Sequence, residues 1–323
     1  MYINKQERNW MLVEKIKMGI IGLGHLGKYH LNHLAVFQEI EIVGIYDVDI
    51  QLTQQLALKY DVPKADSINE LLDSADAVSI VTPTNTHAEI ACQALEKNCH
   101  VFIEKPITNS IDAAHKIKEY IAKRIIHVGH IERFNPAFIA FMEKKHNPLF
   151  LECHRLTKIN SRSMDISVVL DLMIHDIDLL INMIKSPIQE IIADGISVIS
   201  NNIDLANVKL IFKNGCVANL TASRISNKNM RKIRVFENQT YTSIDLYNKE
   251  VLEFSAQGNI ETNKLKFDNK EIEVNKEEDA LVAELKHFCN AIKNKDYDAS
   301  NVNAAIDALA IALQINKIIH EKK

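Results

Sequence analysis

Along residues 17–130 the apolar positions fall into short runs that alternate with amphipathic stretches. Residues 17–21 are an apolar run that leads directly into Gly22-Leu23-Gly24-His25-Leu26-Gly27. A helical pattern follows through Leu26, Tyr29, Leu34 and Phe37, and residues 40–46 alternate into a second strand that stops at Asp47. Helical spacing covers 50–60 and a shorter stretch, 67–72, and residues 77–81 read as a third strand. A polar loop, Thr82-Pro83-Thr84-Asn85-Thr86-His87, is expected at its end, with a helix over 88–97 after it. Val101-Phe102-Ile103-Glu104-Lys105-Pro106 reads as a buried strand ending on a lysine held by a proline. A helix over 110–123 and a strand over 125–130 complete the series. Strands and helices alternating in this way predict right-handed crossovers and a parallel sheet.

From Asn135 the alternation stops. The expected organisation is an N-terminal extension over 1–17, an α/β Rossmann domain over 18–134, and an α+β domain over 135–323. Pro136 suits the first turn of a helix running to about residue 145. Residues 149–156 read as a strand, with a polar loop carrying Arg155, Lys158 and Arg162 around its end. Residues 167–184 form a strongly apolar helical pattern on which Asp171, His175, Asp178 and Asn182 recur as one polar stripe. Residues 188–272 hold several β-rich segments, and Asn214-Gly215 between two apolar runs is a hairpin signal. Strands without intervening helices predict a mostly antiparallel open sheet. Two helices, over 280–293 and 301–320, close the chain.

Composition narrows the function classes. The chain has 323 residues, 47% hydrophobic and 25% charged, which suits about two ordinary globular domains. A net charge of −4 gives no basic field, so no nucleic-acid partner is expected. The five cysteines are scattered without CxxC spacing and read as idle thiols. Residues 1–17 lack the apolar core of a signal peptide, and no window approaches the roughly 20 uncharged apolar residues of a membrane span. A cytoplasmic protein with no membrane partner is expected.

Three of the nine glycines lie within residues 22–27. A strand, GxGxxG, a helix, a second strand and an acid, in that order, is an arrangement that binds a dinucleotide. Gly22 allows the tight turn, Gly24 lets the backbone approach a pyrophosphate, Gly27 lets helix and strand pack, and the helix N-terminus offers free N–H groups. Asp47, about twenty positions after Gly27, suits the adenosine ribose 2′-OH. No arginine follows it to pair with a 2′-phosphate, so NAD is expected over NADP. His25, Leu26, Thr82, Pro83, Asn85, His87, Glu104 and Lys105 are further cofactor contacts expected at the carboxyl ends of the strands. His25, His30 and His33 have no acidic or cysteine ligand beside them in sequence and read as a partly exposed helix surface, so no metal is expected. The Asp171–Asn182 stripe is either a solvated face or the wall of a wet cleft. A carboxylate one turn from an imidazole can fix its tautomer and support its protonated form. The basic run Arg224, Lys228, Arg231, Lys232 and Arg234 is either a solvated face or a contact for an anionic group such as a diphosphate.

Together the glycine loop, Glu104-Lys105-Pro106 and Asp171-x-x-x-His175 resemble the Gfo/Idh/MocA family of sugar and polyol oxidoreductases, over nearly all of the chain past residue 17. The resemblance implies a Rossmann domain followed by a larger open antiparallel sheet, with homodimers or homotetramers associating through the open face. It implies hydride transfer from a carbinol carbon to NAD. Lys105 would hydrogen-bond the reacting oxygen, His175 would act as general base, and Asp171 would orient the imidazole; which of Lys105 and His175 is the immediate base varies among members. Residues 128–136 and 169–178, with Ser223-Arg224-Ile225 and 230–234, are similar to the UDP-N-acetylglucosamine 3-dehydrogenase branch. That similarity implies oxidation of the 3-hydroxyl of a UDP-N-acetylhexosamine such as UDP-GlcNAc. The 3-keto sugar would pass to an aminotransferase towards lipid A. It also implies Arg133, Asn135, Arg155, Arg162, Asp171, His175, Arg224 and Arg231 as substrate contacts. The rivals are a polyol or free-sugar dehydrogenase of the same fold and a non-catalytic dinucleotide sensor. A basic run turned away from the cleft favours the first, and cofactor binding without turnover favours the second.

Overall fold

The computed structural model describes residues 15–159, 164, 166–257 and 266–322. Most of the expected N-terminal extension, and Arg162, lie outside the described residues. The first half runs β1 (Ile16–Ile21), α1 (His25–Leu34), β2 (Ile40–Tyr46), α2 (Ile50–Tyr60), α3 (Ile68–Ser74), β3 (Ala77–Ile80), α4 (Thr84–Glu96), β4 (His100–Glu104), α5 (Ile111–Lys118) and β5 (Ile126–Gly129). The helices begin where side chains cap them: Asp49, Ser67 and Ser110 accept from the backbone N–H groups of Leu52, Glu70 and Ala113. Among the described residues these strands form one parallel sheet ordered β2-β1-β3-β4-β5. The central strand β3 and the edge strand β5 are buried on both faces, as helices on either side require. The polar loop expected over Thr82–His87 is mostly helix, because α4 starts at Thr84 directly behind Pro83, whose φ of −58° suits a helix entry.

A 3₁₀ turn (Ile131–Phe134) leads to α6 (Pro136–Met142), capped by Asn135, and then to β6 (Phe150–Lys158). A π-helical segment (Val169–Met173) runs straight into α7 (Ile174–Ile184). Then follow β7 (Ile188–Ile196), β8 (Leu205–Phe212), β9 (Val217–Ser226), β10 (Met230–Glu237), β11 (Thr240–Asp245), β12 (Glu250–Gln257), β13 (Lys266–Ile272), α8 (Ala280–Asn294) and α9 (Ser300–Glu321). Among the described residues the second sheet is ordered β13-β12-β11-β10-β6-β9-β8-β7. Every pairing in it is antiparallel except β6 with β9. One face packs α7 and α9 over Leu151, Cys153, Leu220, Ile233 and Val235. The other carries Phe150, Phe236, Tyr241 and Phe254 as a cross-strand row of rings 5.8, 4.9 and 5.4 Å apart.

The last two helices return to the first sheet. Leu281, Leu285, Phe288 and Cys289 of α8 join the core around β1 and α1. Helix α9 serves both cores: Val302, Ala305, Ile306 and Leu309 pack with the first sheet, and Ala308, Ala312, Ile315 and Ile319 with the second. Each fully buried Leu or Ile of this kind contributes about 1.5–3 kcal/mol. By length and composition α9, with a window of mean hydropathy 1.4, is apolar enough to cross a membrane, although no such window was expected. Its apolar positions are taken up by the two cores instead. Asn301 at its start closes the free edge of β5, accepting from Val128 N at 2.7 Å and donating to Val128 O at 3.3 Å. The two sheets are therefore joined through α9, which is tied to β5 near its carboxyl end.

Candidate active site

A cavity of about 810 Å³ opens at the carboxyl ends of β1, β2, β3 and β4, a volume within the usual range for cofactor sites. Gly22, Gly24, His25, Leu26, Asp47, Thr82, Pro83, Asn85, Glu104 and Lys105, all expected from the sequence as cofactor contacts, line it. The glycines fit a dinucleotide for separate reasons. Gly22 has a φ of +92°, and a Cβ there would meet the Val81 carbonyl oxygen at 2.5 Å. A Cβ on Gly27 would meet the Gly22 carbonyl oxygen at 2.0 Å, so Gly27 is needed where α1 crosses the loop. A Cβ on Gly24 would meet nothing within 4 Å, so the backbone there is open to an approaching phosphate. Gly24 is also the N-cap of α1 and provides no side-chain cap, which leaves the first N–H groups of the helix for a ligand. Asp47 braces this loop, accepting from Leu23 N at 2.6 Å and Asp49 N at 2.9 Å.

Gly27 has the packing task expected of it, and His87, expected as a cofactor contact, is buried off the cavity wall. The ring nitrogens of His87 lie 2.9 Å from the Pro106 carbonyl and 2.8 Å from the Thr82 carbonyl, tying the start of α4 to the lysine segment. His30 also departs from the expected helix surface. It is fully buried, with Nδ1 2.8 Å from Ser79 Oγ and Nε2 3.1 Å from Glu104 Oε1. Burial opposes the charge of Glu104, but the His30 contact and Lys105 outweigh it and hold the carboxyl below its usual range.

The lysine end of the cavity meets the π-helical segment. Lys105 Nζ donates to the Asp171 carbonyl at 2.8 Å and lies 3.4 Å from Asp171 Oδ1, with the lysine side chain 15% exposed. The expected pairing of Asp171 with His175 does not form, because the carboxylate turns to Lys105 and the residues preceding His175 follow the wider π-helical winding. His175 is half-buried, and its Nδ1 has no partner among the described residues. Burial first, and then the charge of Lys105, push the His175 imidazole well below its usual range. It is thus a neutral base at neutral pH, unlike the supported imidazolium expected from an adjacent carboxylate.

Most of the expected substrate cations are spoken for within the fold. Arg155 sits on β6, not in a polar loop, and is 2% exposed. Its guanidinium grips Asp176 at 2.7–3.1 Å and Glu132 at 2.7 Å. Burial opposes the charge of Glu132, but the Arg155 and Arg231 guanidiniums hold its carboxyl below the usual range. Arg133 makes a two-pronged pair with Asp178, which removes Asp178 from the expected polar stripe. Asn135 is buried, caps α6, and donates to Glu132 Oε2 and the Leu246 carbonyl. Arg224 is buried, donates to the Ile166 carbonyl at 2.6 Å and lies 3.8 Å from Asp204. Arg231 alternates onto the same face of β10 as Ile233 and Val235, and Lys232 and Arg234 face the aromatic side. The Arg231 side chain is 44% exposed beside Glu132, near enough for its charge to act on His175.

Residues 16–130 match the NAD-binding Rossmann fold of the Gfo/Idh/MocA oxidoreductase family, and residues 123–240 match that family's C-terminal domain. The chain belongs to the Gfo/Idh/MocA family. Members of the family similar to it include the UDP-N-acetylglucosamine 3-dehydrogenase of Acidithiobacillus ferrooxidans. That protein is 32% identical over 303 residues, which cover 93% of this chain and 96% of the relative. Its crystal structure superposes with a TM-score of 0.87, covering 95% of this chain and 98% of that one at 31% identity. The myo-inositol 2-dehydrogenase of Thermotoga maritima is 26% identical over 331 residues, 95% of this chain and 97% of the relative. The fold is shared with scyllo-inositol dehydrogenase of Lactobacillus casei, solved with NAD(H) and scyllo-inositol, at a TM-score of 0.79 and 20% identity over 96% of this chain and 98% of that one.

As a Gfo/Idh/MocA oxidoreductase, the chain has its cofactor cradle and its polar cluster side by side, joined at Lys105. Several lining residues carry no motif. Glu89 and Gln93 reach the cavity from α4, and only the helix start behind Pro83 and their spacing of one turn could have placed them. His130 beside His175 is a further residue that no spacing rule singles out.

Proposed function

We propose that the chain is an NAD-dependent dehydrogenase that oxidises the 3-hydroxyl of a UDP-N-acetylhexosamine such as UDP-GlcNAc to the 3-keto sugar. The observation that carries this reading is the junction of Lys105, which lines the dinucleotide cavity, with the π-helical segment that runs into His175. Similarity to the Acidithiobacillus enzyme over nearly the whole chain supports the substrate class. Bound nicotinamide supplies the hydride acceptor. Lys105 donates to the reacting oxygen and favours the negative charge that develops there. His175, neutral and carrying a lone pair, takes the hydroxyl proton and returns it in the reverse direction. Arg231 is an exposed cation on the site side suited to an anionic sugar substituent.

A polyol or free sugar is the second reading, and one observation favours it: Arg133, Arg155 and Arg224 are tied up internally, and Lys232 and Arg234 alternate to the other face of β10. A panel of UDP-sugars, inositols and free hexoses with NAD, followed by reduced-nicotinamide absorbance, separates the two. UDP-GlcNAc is expected to give the highest kcat/KM. Preference for an inositol would transfer the assignment to the second reading.

Asp47 supports NAD over NADP, because its carboxylate suits a ribose 2′-OH and repels a 2′-phosphate. In Asp47→Ala, NAD binding is expected to weaken by about 1.5–3 kcal/mol, the worth of a hydrogen bond to a charged group, while NADP loses less. Calorimetric titrations of both cofactors measure this, and unchanged affinities would exclude Asp47 as the ribose ligand.

A further inference from the structure

Around the site nearly every buried polar side chain has found a partner. Arg155 holds Asp176 and Glu132, Arg133 holds Asp178, and His30 holds Ser79 and Glu104. Two adjacent rings depart from this pattern. His130 is 1% exposed, and among the described residues neither of its nitrogens has a hydrogen-bond partner. His175 Nδ1 is in the same position, while that ring keeps an exposed edge. The rings meet edge to face, 6.5 Å between centroids and 83° between planes. On its other side His130 Nδ1 lies 3.6 Å from Asp178 Oδ2, the carboxylate that Arg133 fixes in place.

The charged groups acting on His130 come from three elements: Asp178 on α7, Arg133 in the turn after β5, and Glu104 and Lys105 at the end of β4. Burial, with Arg133 and Lys105, lowers the His130 pKa to about 4 against the pull of Asp178, so at neutral pH the ring is uncharged. An uncharged imidazole has one N–H and one lone pair. With Asp178 on the Nδ1 side the N–H belongs on Nδ1, which leaves the Nε2 lone pair for the neighbouring ring. His175 needs such a neighbour. A base that takes a proton on Nε2 must carry its own proton on Nδ1, and the nitrogen opposite the reacting one usually fixes that choice through its partner. Asp171 does not serve, because its carboxylate is on Lys105.

We propose that His130 is the positioning residue for His175. Asp178, His130 and His175 form a row, with the two rings edge to face, that keeps the proton on His175 Nδ1 and leaves Nε2 bare towards the cleft. The inference rests on the dehydrogenase reading, in which His175 is the base. No group is consumed: the substrate proton passes to His175 Nε2 and leaves to solvent, and the row returns to its starting tautomers.

Long-range ¹H–¹⁵N correlation spectra of the histidine side chains test the row without any substrate. In the unsubstituted chain His175 is expected as the Nδ1–H tautomer alone. In His130→Phe, which keeps the aromatic bulk, both neutral tautomers are expected. An Nε2–H tautomer of His175 in the unsubstituted chain, or an unchanged tautomer in His130→Phe, overturns the proposal. With a competent sugar, His130→Phe is expected to lower kcat by roughly tenfold to a hundredfold, the scale on which losing a partner that orients a histidine is felt. KM and cofactor affinity should hold, and His130→Gln, which restores a donor and an acceptor, should recover part of kcat. A fall in KM-determined binding with kcat intact would also overturn the proposal. Should the Phe variant not fold, the spectrum of the unsubstituted chain and the Gln variant decide the matter. Absence of turnover by the unsubstituted chain with every sugar counts against the dehydrogenase reading alone, because the tautomer readout does not depend on it.

Discussion

Replacing Lys105 with Met is expected to lower turnover by at least about a hundredfold, the usual scale for removing a group that handles charge or protons in the transition state. Met keeps the length and apolar stem of the side chain and removes only the ammonium. That ammonium is largely shielded from solvent and already oriented by the Asp171 carbonyl at 2.8 Å. Little reorganisation is therefore needed when a substrate oxygen arrives, and the charge acts where water screens it weakly. Cofactor affinity should change little, since the phosphate cradle is built from the glycine loop and the α1 N-terminus. Rapid-mixing measurements of nicotinamide reduction separate the two effects. A loss confined to cofactor binding would mean that Lys105 is a wall of the dinucleotide cavity and nothing more.

Arg155→Met should cost about 3–5 kcal/mol of stability, the range for removing one partner of a buried ion pair. The cost comes from what remains. Asp176 and Glu132 are both buried; Asp176 would lose its guanidinium partner, and Glu132 would keep only the half-exposed Arg231. Arg231→Met, by contrast, removes a half-exposed partner of the same Glu132 and should change stability by less than about 1 kcal/mol. Urea unfolding of both variants checks the contrast. If Arg155 were the substrate ligand that the family likeness implied, its replacement would raise KM and leave the unfolding midpoint in place.

The difference between Arg155 as ligand and Arg155 as internal tie shows where sequence reading stops. The glycine loop, Asp47 and the strand ending on Lys105 were readable because each is local: a few residues at fixed spacing determine both backbone and chemistry. The partners of these arginines are distant, Glu132 and Asp176 for Arg155 and Asp178 for Arg133, and nothing in a polar stretch says whether its charges face water or one another. His30 misled for the same reason, since Ser79 and Glu104 reach it from other strands. The Asp171–His175 pair failed for a local reason. An α-helical spacing of one turn assumes α-helical winding, and Val169–Met173 winds as a π-helix. The return of α8 and α9 to the first sheet is a long-range packing choice, visible only once both cores are built.

The central claim is that Lys105, at the junction of the dinucleotide cavity and the π-helical segment, serves the oxidation of a nucleotide-sugar hydroxyl. The most direct test is single-turnover NAD reduction with UDP-GlcNAc, measured side by side for the unsubstituted chain and Lys105→Met, both saturated with cofactor. Prompt reduction in the first and a rate at least about a hundredfold lower in the second is the predicted result. Equal rates in the two proteins, or no reduction by the unsubstituted chain with UDP-GlcNAc, would contradict it.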